Sequence, residues 1–421
     1  EAGLKAKNAS TNQEAASYLQ VALDHLGKEE PSSERDKREL ELQAPLALVM
    51  TAIYGYGSPK TGAVYERAFE LSRKVVNPPE LFPIMYGLSI NRLSVNRFID
   101  GLSIAKELAA YVDKTNNKAL YAMSHRWYGS TLVFLPDYQQ SKTHLETAIT
   151  AYDEVEAPQF TEEYGHDPKA LGLVFLAWAQ TLRGFPDKGL ALSRKAVLHA
   201  ETLEFPYGLA HVHFHTGNLF KDLNNPEIVE EHATVLNTIA SEQNFSLFEN
   251  NAMILLGWAD HCRGNQRSVE QIELGLQQLE DTGSVFFQQM LVNAHINALV
   301  KDRQFNAAQR KIQEAILVGE KVGYSWIFPE LQRLDATCIL QNVDFDLKQS
   351  ETRFLESLNL ARRHEAKLWE IRTAVSLAAL WGENKERRKA YDLLFPIYDW
   401  YTEGFGTPVL QEAKELLEQL Q

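Results

Sequence analysis

Along this chain apolar residues recur at intervals of three and four, in stretches separated by short polar or proline-containing breaks, a period that predicts helix after helix. The stretches pair into hairpins, and the hairpins repeat. A pair of core residues opens each unit: Leu88-Ser89, Tyr128-Gly129, Leu176-Ala177, Thr216-Gly217, Leu256-Gly257, His295-Ile296, Thr337-Cys338 and Leu377-Ala378. The pairs recur at steps of about 40 residues with one step of 48, the regularity of a solenoid. A second, mostly small position follows on the next helix: Gly101, Ser141, Gly189, Val229, Val269, Ala308, Ser350 and Ala390. Small residues on both helices let them cross closely, the logic of tetratricopeptide (TPR) repeats with longer helices than usual. The predicted fold class is all-α: a right-handed α-α superhelix, a TPR-like solenoid of about nine hairpins with a C-terminal capping helix.

The breaks divide one continuous domain. Residues 1–30 read as an incomplete N-terminal hairpin whose helix starts at Thr11, where Glu14 completes a capping box. Residues 31–153 hold the first repeats, beginning with a long helix that reaches about Tyr54 and a partner over Ala63 to Val75. Residues 154–168 form an acidic insert, which accounts for the 48-residue step, and 169–405 hold the remaining repeats. Turns fall at Asn77-Pro78-Pro79, Leu135-Pro136-Asp137, Gly184-Phe185-Pro186, Phe205-Pro206, Asn224-Asn225-Pro226 and Arg263-Gly264-Asn265, because proline lacks the donor a helix interior needs but suits its first turn. Residues 407–421 form the cap, with Leu410, Ala413, Leu416, Leu417 and Leu420 on one face and Glu and Lys on the other.

The net charge of −14 makes nucleic acid a poor partner, since phosphate contacts need clustered Lys and Arg. It fits a soluble acidic surface or a basic partner. Cys262 and Cys338 lie far apart inside helical patterns, which fits a reducing cytoplasm better than a disulfide framework. No apolar run is long enough to insert in a membrane. The chain starts at Glu1 rather than Met, so it is expected to be excised from something longer.

The segment from Ala366 to Ala378 (AKLWEIRTAVSLA) and the one from Pro396 to Pro408 (PIYDWYTEGFGTP), with Glu412-Ala413-Lys414 after them, carry a family resemblance. They are similar to the TPR region that ends bacterial STAND-type signalling ATPases, a region often fused to class III adenylate/guanylate cyclase domains. Gly55-Tyr56-Gly57-Ser58-Pro59 with Tyr65-Glu66-Arg67-Ala68 resembles an early repeat of that group. Tyr164-Gly165-His166-Asp167-Pro168 with Leu176-Ala177-Trp178 resembles its insert-bearing repeat, with His166 in place of the usual Gln. The middle, Tyr207 to Leu219, departs from the pattern with three histidines. The resemblance implies that a nucleotide-binding module, and in some members a cyclase, precedes this segment, and that the array senses an inducer or partner. This segment has no GxxxxGK[ST] loop of its own.

Three constellations invite chemistry and decline it. His211, His213 and His215 form an HxHxH string; on a helix His211 and His215 share a face and His213 points elsewhere, which leaves zinc short of ligands. His261-Cys262 diverge by about 100° as helix neighbours, so they make no nucleophile–base contact. The insert acids Glu154, Glu156, Glu162, Glu163 and Asp167 lack the spacing that wraps a calcium ion. The sequence therefore offers no catalytic, cofactor-binding or metal-binding residues.

The inner wall is more informative. In TPR geometry the first helix of each hairpin lines the concave surface, and its positions are Tyr86, Ile90, Met123, Arg126, Ser130, Trp178, Thr181, His211, Phe214, Asn218, Asn251, Trp258, His261, Asn293, Asn297, Asp335 and Arg372. Aromatic anchors interleaved with Asn and Arg supply stacking area and directional hydrogen bonds. The leading expectation is a non-enzymatic sensor that binds a peptide or protein in this groove. The alternative is a small-molecule inducer receptor, for instance for a sugar stacked on Trp178 and Trp258, by analogy with the long-helix array of the maltose-regulon activator.

Overall fold

The computed structural model describes residues 12–75, 78–115, 117–152, 167–265, 267–281, 285–342 and 346–421. The acidic insert up to His166 and the Thr11 cap lie outside them, so the insert and the first helix's start carry no structural account. The described residues form 20 helices, and the strand content among them is nil. They fall into two compact units, Glu1–Ser124 with Gly283–Phe287 and His125–Thr282 with Gln288–Gln421.

The first unit contains α1 (Asn12–Leu26), α2 (Ser33–Tyr54), α3 (Pro59–Ser72), α4 (Leu81–Ser94), α5 (Phe98–Val112) and the start of α6 (Lys118–Val133). Ser32 caps α2 by accepting the Arg35 N–H at 3.1 Å, and Gly55 ends the helix with φ +75°, a conformation only glycine adopts cheaply. Leu40, Ala44, Ala68, Leu71 and Ile84 make one core layer between α2, α3 and α4, and Ala47, Tyr65 and Leu88 another. Gly87 is required there: a Cβ on it would sit 2.2 Å from the Tyr65 ring.

The second unit contains the rest of α6 and α7 (Tyr138–Ala151), then α8 (Pro168–Leu182) and α9 (Pro186–Thr202). It continues through α10 (Pro206–Asp222), α11 (Pro226–Gln243), α12 (Ser246–Cys262) and α13 (Ser268–Asp281) to α14 (Val285–Lys301), whose first residues belong to the first unit. The last elements are α15 (Phe305–Val322), α16 (Phe328–Gln341), α17 (Leu347–Arg363), α18 (Lys367–Glu383), α19 (Arg387–Asp399) and α20 (Pro408–Leu420). Proline opens α8, α9, α10, α11 and α20 at the first helical turn, where its missing donor costs nothing. Asp167 and Asn225 cap α8 and α11 by accepting the N–H of Ala170 at 2.6 Å and of Ile228 at 3.1 Å.

The hairpins cross where the small residues stand. Ser89 donates its hydroxyl to the Gly101 carbonyl at 2.6 Å, Ser141 to Gly129 at 2.8 Å and Ser350 to Ala336 at 2.8 Å, so the repeat's small positions also peg the helices together. One position moves by a residue: in the α12–α13 hairpin Ser268 is buried at the crossing, its carbonyl 3.2 Å from where a Cβ on Gly257 would lie, while Val269 is half-buried beside it. Gly257 makes the close crossing possible, since a Cβ there would press on Ile272 and on the Ser268 carbonyl.

Two features of the second unit position its site. Its first complete hairpin meets its last elements: the Lys188 N–H donates to Glu403 at 3.0 Å, the Gly404 N–H donates to Asp187 at 2.9 Å, and the Trp400 ring lies 5.8 Å from Phe185. The unit thus closes on itself. Its inner helices also touch across the middle, for Trp326 packs edge-on against Phe134 at 6.0 Å and Trp178 at 5.2 Å, and the Ser325 N–H donates to the Phe134 carbonyl at 3.2 Å. The cap α20 buries Leu410, Ala413, Leu417 and Leu420 against Ala390, Leu394 and Ile397.

Candidate functional site

Tyr86 and Met123 belong to the first unit and are buried, Tyr86 stacked on Phe82 at 5.9 Å. Ile90 is in the first unit as well, and the other inner-wall residues belong to the second. Arg126, Trp178, His211 and Phe214 come together there. Trp178 is 1% exposed and its ring lies 6.2 Å from His215. His211 lies 6.1 Å from His215 and 4.7 Å from Phe248, and its Nδ1 faces the Tyr207 carbonyl at 3.3 Å. Burial holds the His211 imidazole down to about 4, against the Tyr207 carbonyl and with the Arg126 charge nearby, and His215 is likewise held well below its usual value by burial. Both rings are therefore neutral at pH 7. His213 faces away and pairs Nδ1 to Nδ1 with His232 of α11 at 2.9 Å.

Thr181, Ser130 and Asp335 serve other ends. The Thr181 hydroxyl donates to Ala177 at 2.9 Å and fills the space that a Cβ on Gly189 would need. Ser130 donates to the Arg126 carbonyl at 2.8 Å. Asp335 takes Gln309 at 3.1 Å and Arg353 at 2.9 Å, tying three consecutive helices together. Asn297 is half-buried and Trp258 buried on their inner helices. His261 is 3.4 Å from the Asp302 carboxylate, an ion-pair distance without hydrogen-bond geometry, and neither ring nitrogen has a hydrogen-bond partner.

Several inner-helix polar atoms are buried without partners: Trp178 Nε1, Thr216 Oγ1, Asn218 Oδ1, and both amide atoms of Asn251. The rings of Phe214 on α10 and Phe248 on α12 lie 6.3 Å apart, and Asn218 and Asn251 stand one turn further along each helix. Each such atom costs about 1–3 kcal/mol when nothing satisfies it. Several of them on the inner helices α8, α10 and α12 are therefore costly for stability alone, the pattern expected where a ligand or ordered water completes the bonding.

Asn293 and Arg372 join a second cluster, most of which the sequence pattern missed. Lys221 donates to the Met290 carbonyl at 3.2 Å and to Asn293, and Asn293 donates to Asp222 Oδ1 at 3.3 Å. Glu330 accepts Arg333 through Nε and Nη2, both at 2.8 Å, and forms an ion pair with Arg372, whose Nη2 lies 3.0 Å from its carboxylate. Arg372 also donates to the Asp222 carbonyl at 2.9 Å. Burial pushes the Lys221 amine down and the Asp222 carboxyl up, each opposed by the other's charge. Burial also works against the Glu330 carboxylate, but Arg333 and Arg372 more than offset it and hold the group low. The signal available in the sequence was Lys221-Asp222 and Glu330-x-x-Arg333, charges on helices whose other faces are apolar. A cavity of about 80 Å³ adjoins this cluster, lined by Asp222, Arg333, Arg372, Ser376 and Glu412 among others.

Among the described residues no group of His, Cys, Asp and Glu is placed to hold a metal ion, and no helix is long and apolar enough to cross a membrane. Burial raises the thiols of Cys262 and Cys338, the latter to about 12, which leaves both as poor nucleophiles.

No known protein family matches the chain, and no curated protein matches it in sequence. Solved structures do. The apo form of RapI aligns with 66% of this chain and 95% of its own, at 16% identity and a TM-score of 0.51. A Rap protein complexed with competence and sporulation factor aligns with 100% of this chain and 97% of its own, at 12% identity and a TM-score of 0.48. A human IFIT1 dimer with PPP-AAAA aligns with 99% and 88%, at 14% identity and a TM-score of 0.45. At these identities the likeness is one of fold: the chain is a TPR-like helical repeat protein.

Proposed function

We propose that this chain is a non-catalytic sensing module, the C-terminal regulatory arm of a larger signal-transduction ATPase or nucleotide cyclase, and that the inner helices of its second unit bind a peptide or protein segment. The observation that carries the binding reading is the row of buried, unpartnered groups on α8, α10 and α12, with Asn251 the strongest: it is fully buried and neither amide atom is bonded. An Asn side chain offers one donor and one acceptor, the complement of a peptide unit. The wider context rests on the resemblance of Ala366–Ala378 and Pro396–Pro408 to the end of STAND-type signalling proteins.

The closed ring supplies the switch. Its seam consists of the Lys188–Glu403 and Asp187–Gly404 contacts and the Trp400 ring, which is 40% exposed. Exposed ion pairs contribute about 0–1 kcal/mol, so a ligand with a modest preference for an opened ring shifts the equilibrium. Selection of a random short-peptide library against the whole chain tests this. Selected peptides should lose roughly 30-fold or more in affinity on Asn251→Leu, as for a buried hot spot, and should also weaken on Trp178→Phe, which removes only the indole N–H and its ring size. Undiminished binding to both variants would place the ligand elsewhere.

A second reading, a small-molecule receptor, is favoured by one observation: the cavity beside Arg333 and Arg372 is small and bounded on several sides by buried side chains.

A further inference from the structure

One stretch of the chain carries most of its negative charge. Between Pro226 and Asp281 stand ten carboxylates and two arginines, more than half of the net charge of −14. Both arginines, Arg263 and Arg267, stand where α12 ends and α13 begins, and Arg263 is taken up by Glu230 at 2.5 and 2.8 Å. Towards the opposite ends of these helices a groove of about 560 Å³ opens within the second unit, between the C-terminal halves of α11 and α13 and the N-terminal half of α12. Its lining holds two carboxylates, Glu249 and Asp281, and among the described residues no Lys or Arg. Glu249 is half-buried, and no cation among the described residues pairs with it. Asp281 takes the Gln277 amide at 3.2 Å and is the last residue of α13, where the helix dipole is itself negative and a cation is the favoured neighbour. Asn250 is 9% exposed and lines the groove, and its amide makes no hydrogen bond among the described residues. A buried amide left open is costly unless something outside the chain completes its bonding. Met253 adds an apolar part to the same lining.

We propose that this groove docks a basic segment of a partner protein and takes an arginine side chain from it, the guanidinium meeting Glu249, Asp281 and the Asn250 amide oxygen and the stem meeting Met253. A guanidinium carries five donors and no acceptor, and the groove answers it with two carboxylates and with amide and hydroxyl oxygens. Its planar fork fits a carboxylate, and its weak hydration lowers the cost of entering a partly buried site. An acidic segment would bring like charge to Glu249 and Asp281, and a neutral one would cover the Glu249 carboxylate without pairing it, which is costly. The acidic surface around the groove draws a basic segment in and speeds the encounter. This site goes beyond the inner-wall reading and shares no residue with it: Asn250 and Asn251 are helix neighbours whose side chains diverge by about 100°.

Calorimetric titration of the whole chain with a short peptide of alternating glycine and arginine tests it, with the same peptide carrying citrulline for arginine as the uncharged control and spermidine as the small polycation. Saturable binding of the arginine peptide is expected, weakening as salt is raised, with none of the citrulline peptide. Glu249→Gln with Asp281→Asn keeps the shape of both side chains and should lower the affinity about tenfold or more. Glu231→Gln with Glu273→Gln removes the same charge from exposed positions of α11 and α13 outside the lining and should change it less than about threefold. Helicity of each variant shows that the fold is kept. Absence of saturable binding at millimolar concentration overturns the proposal, as does an equal loss in the two double variants, which would mean charge without a site. Citrulline-peptide binding equal to that of the arginine peptide overturns it too, and so does spermidine binding as tight as the peptide's, which would make the groove a polyamine site. Asn251→Leu should leave the arginine peptide's affinity unchanged. A failed titration here, with library-selected peptides still sensitive to Asn251, removes this proposal alone, and the reverse result removes the inner-wall reading alone.

Discussion

Asn251 is where stability and function part at the scale of one residue. Its amide is fully buried and unbonded, so Asn251→Leu should raise stability by about 1–2 kcal/mol while weakening peptide binding roughly 30-fold or more. Chemical denaturation followed by helicity measures the first effect, and a lower midpoint for the variant would mean that the amide has a partner in solution. The buried histidines set a pH dependence. His211, His213 and His364 are each held down to about 4, chiefly by burial, so the folded chain refuses protons that the unfolded chain accepts below about 6.5. Stability is therefore full above pH 6.5 and falls as pH drops from 6.5 towards 4. His211 alone contributes on the order of 1 kcal/mol per pH unit across that window. Denaturation midpoints at pH 7 and 5 should show the loss, and His211→Asn should reduce it by that histidine's share; equal midpoints would contradict neutral burial.

The helix pair is the unit in which glycine matters. Gly87 presses on the Tyr65 ring and Gly189 on Thr181, where added methyl groups would lie 2.2 Å and 2.0 Å from their neighbours. Gly87→Ala and Gly189→Ala should each destabilise by about 1–3 kcal/mol through forced separation of the two helices, read as a lower denaturation midpoint. The cap is the corresponding case for a single helix. Removing α20 would uncover Leu394 and Ile397, each worth roughly 1.5–3 kcal/mol when buried. Truncation before Thr407 should therefore lower the melting temperature and expose the last hairpin to protease, and unchanged melting and solubility would show that α20 is dispensable. The α18–α19 hairpin rests one face on α20, so the apolar side chains of that face depend on this single helix.

Closure of the second unit is a property that no single hairpin has. Trp400 spans the seam, lying over Gly184 and 4.9 Å from the Lys367 ammonium. Trp400→Ala should open the seam without unfolding the hairpins on either side, because the ring is partly exposed and each hairpin keeps its own core. Faster hydrogen exchange confined to residues around Phe185 and Gly404 would report this, with helicity retained; exchange unchanged at both places would show that the seam does not depend on the ring.

The repeating pattern determined the helices, the hairpins and the crossings, because each depends on residues close in sequence: a proline at a first turn, a small residue opposite another, an apolar stripe. Proline boundaries at Pro168, Pro186, Pro206, Pro226 and Pro408 were legible for that reason, and the one crossing that shifted, Ser268 for Val269, shifted by a single residue. The repeat register names inner-helix positions only, and the structure brings Arg126, Trp178 and His211 together among buried residues. Whether those side chains face solvent or one another depends on the curvature of the array, a sum of small rotations over many hairpins that no local pattern encodes. Closure of the ring, between Asp187 and Gly404, was decided by contacts more than 200 residues apart. The charged cluster too needs distant contacts: Asp222, Glu330, Arg333 and Arg372 come from three helices, and only tertiary packing sets two guanidiniums on one shared carboxylate with Arg372 against the Asp222 carbonyl.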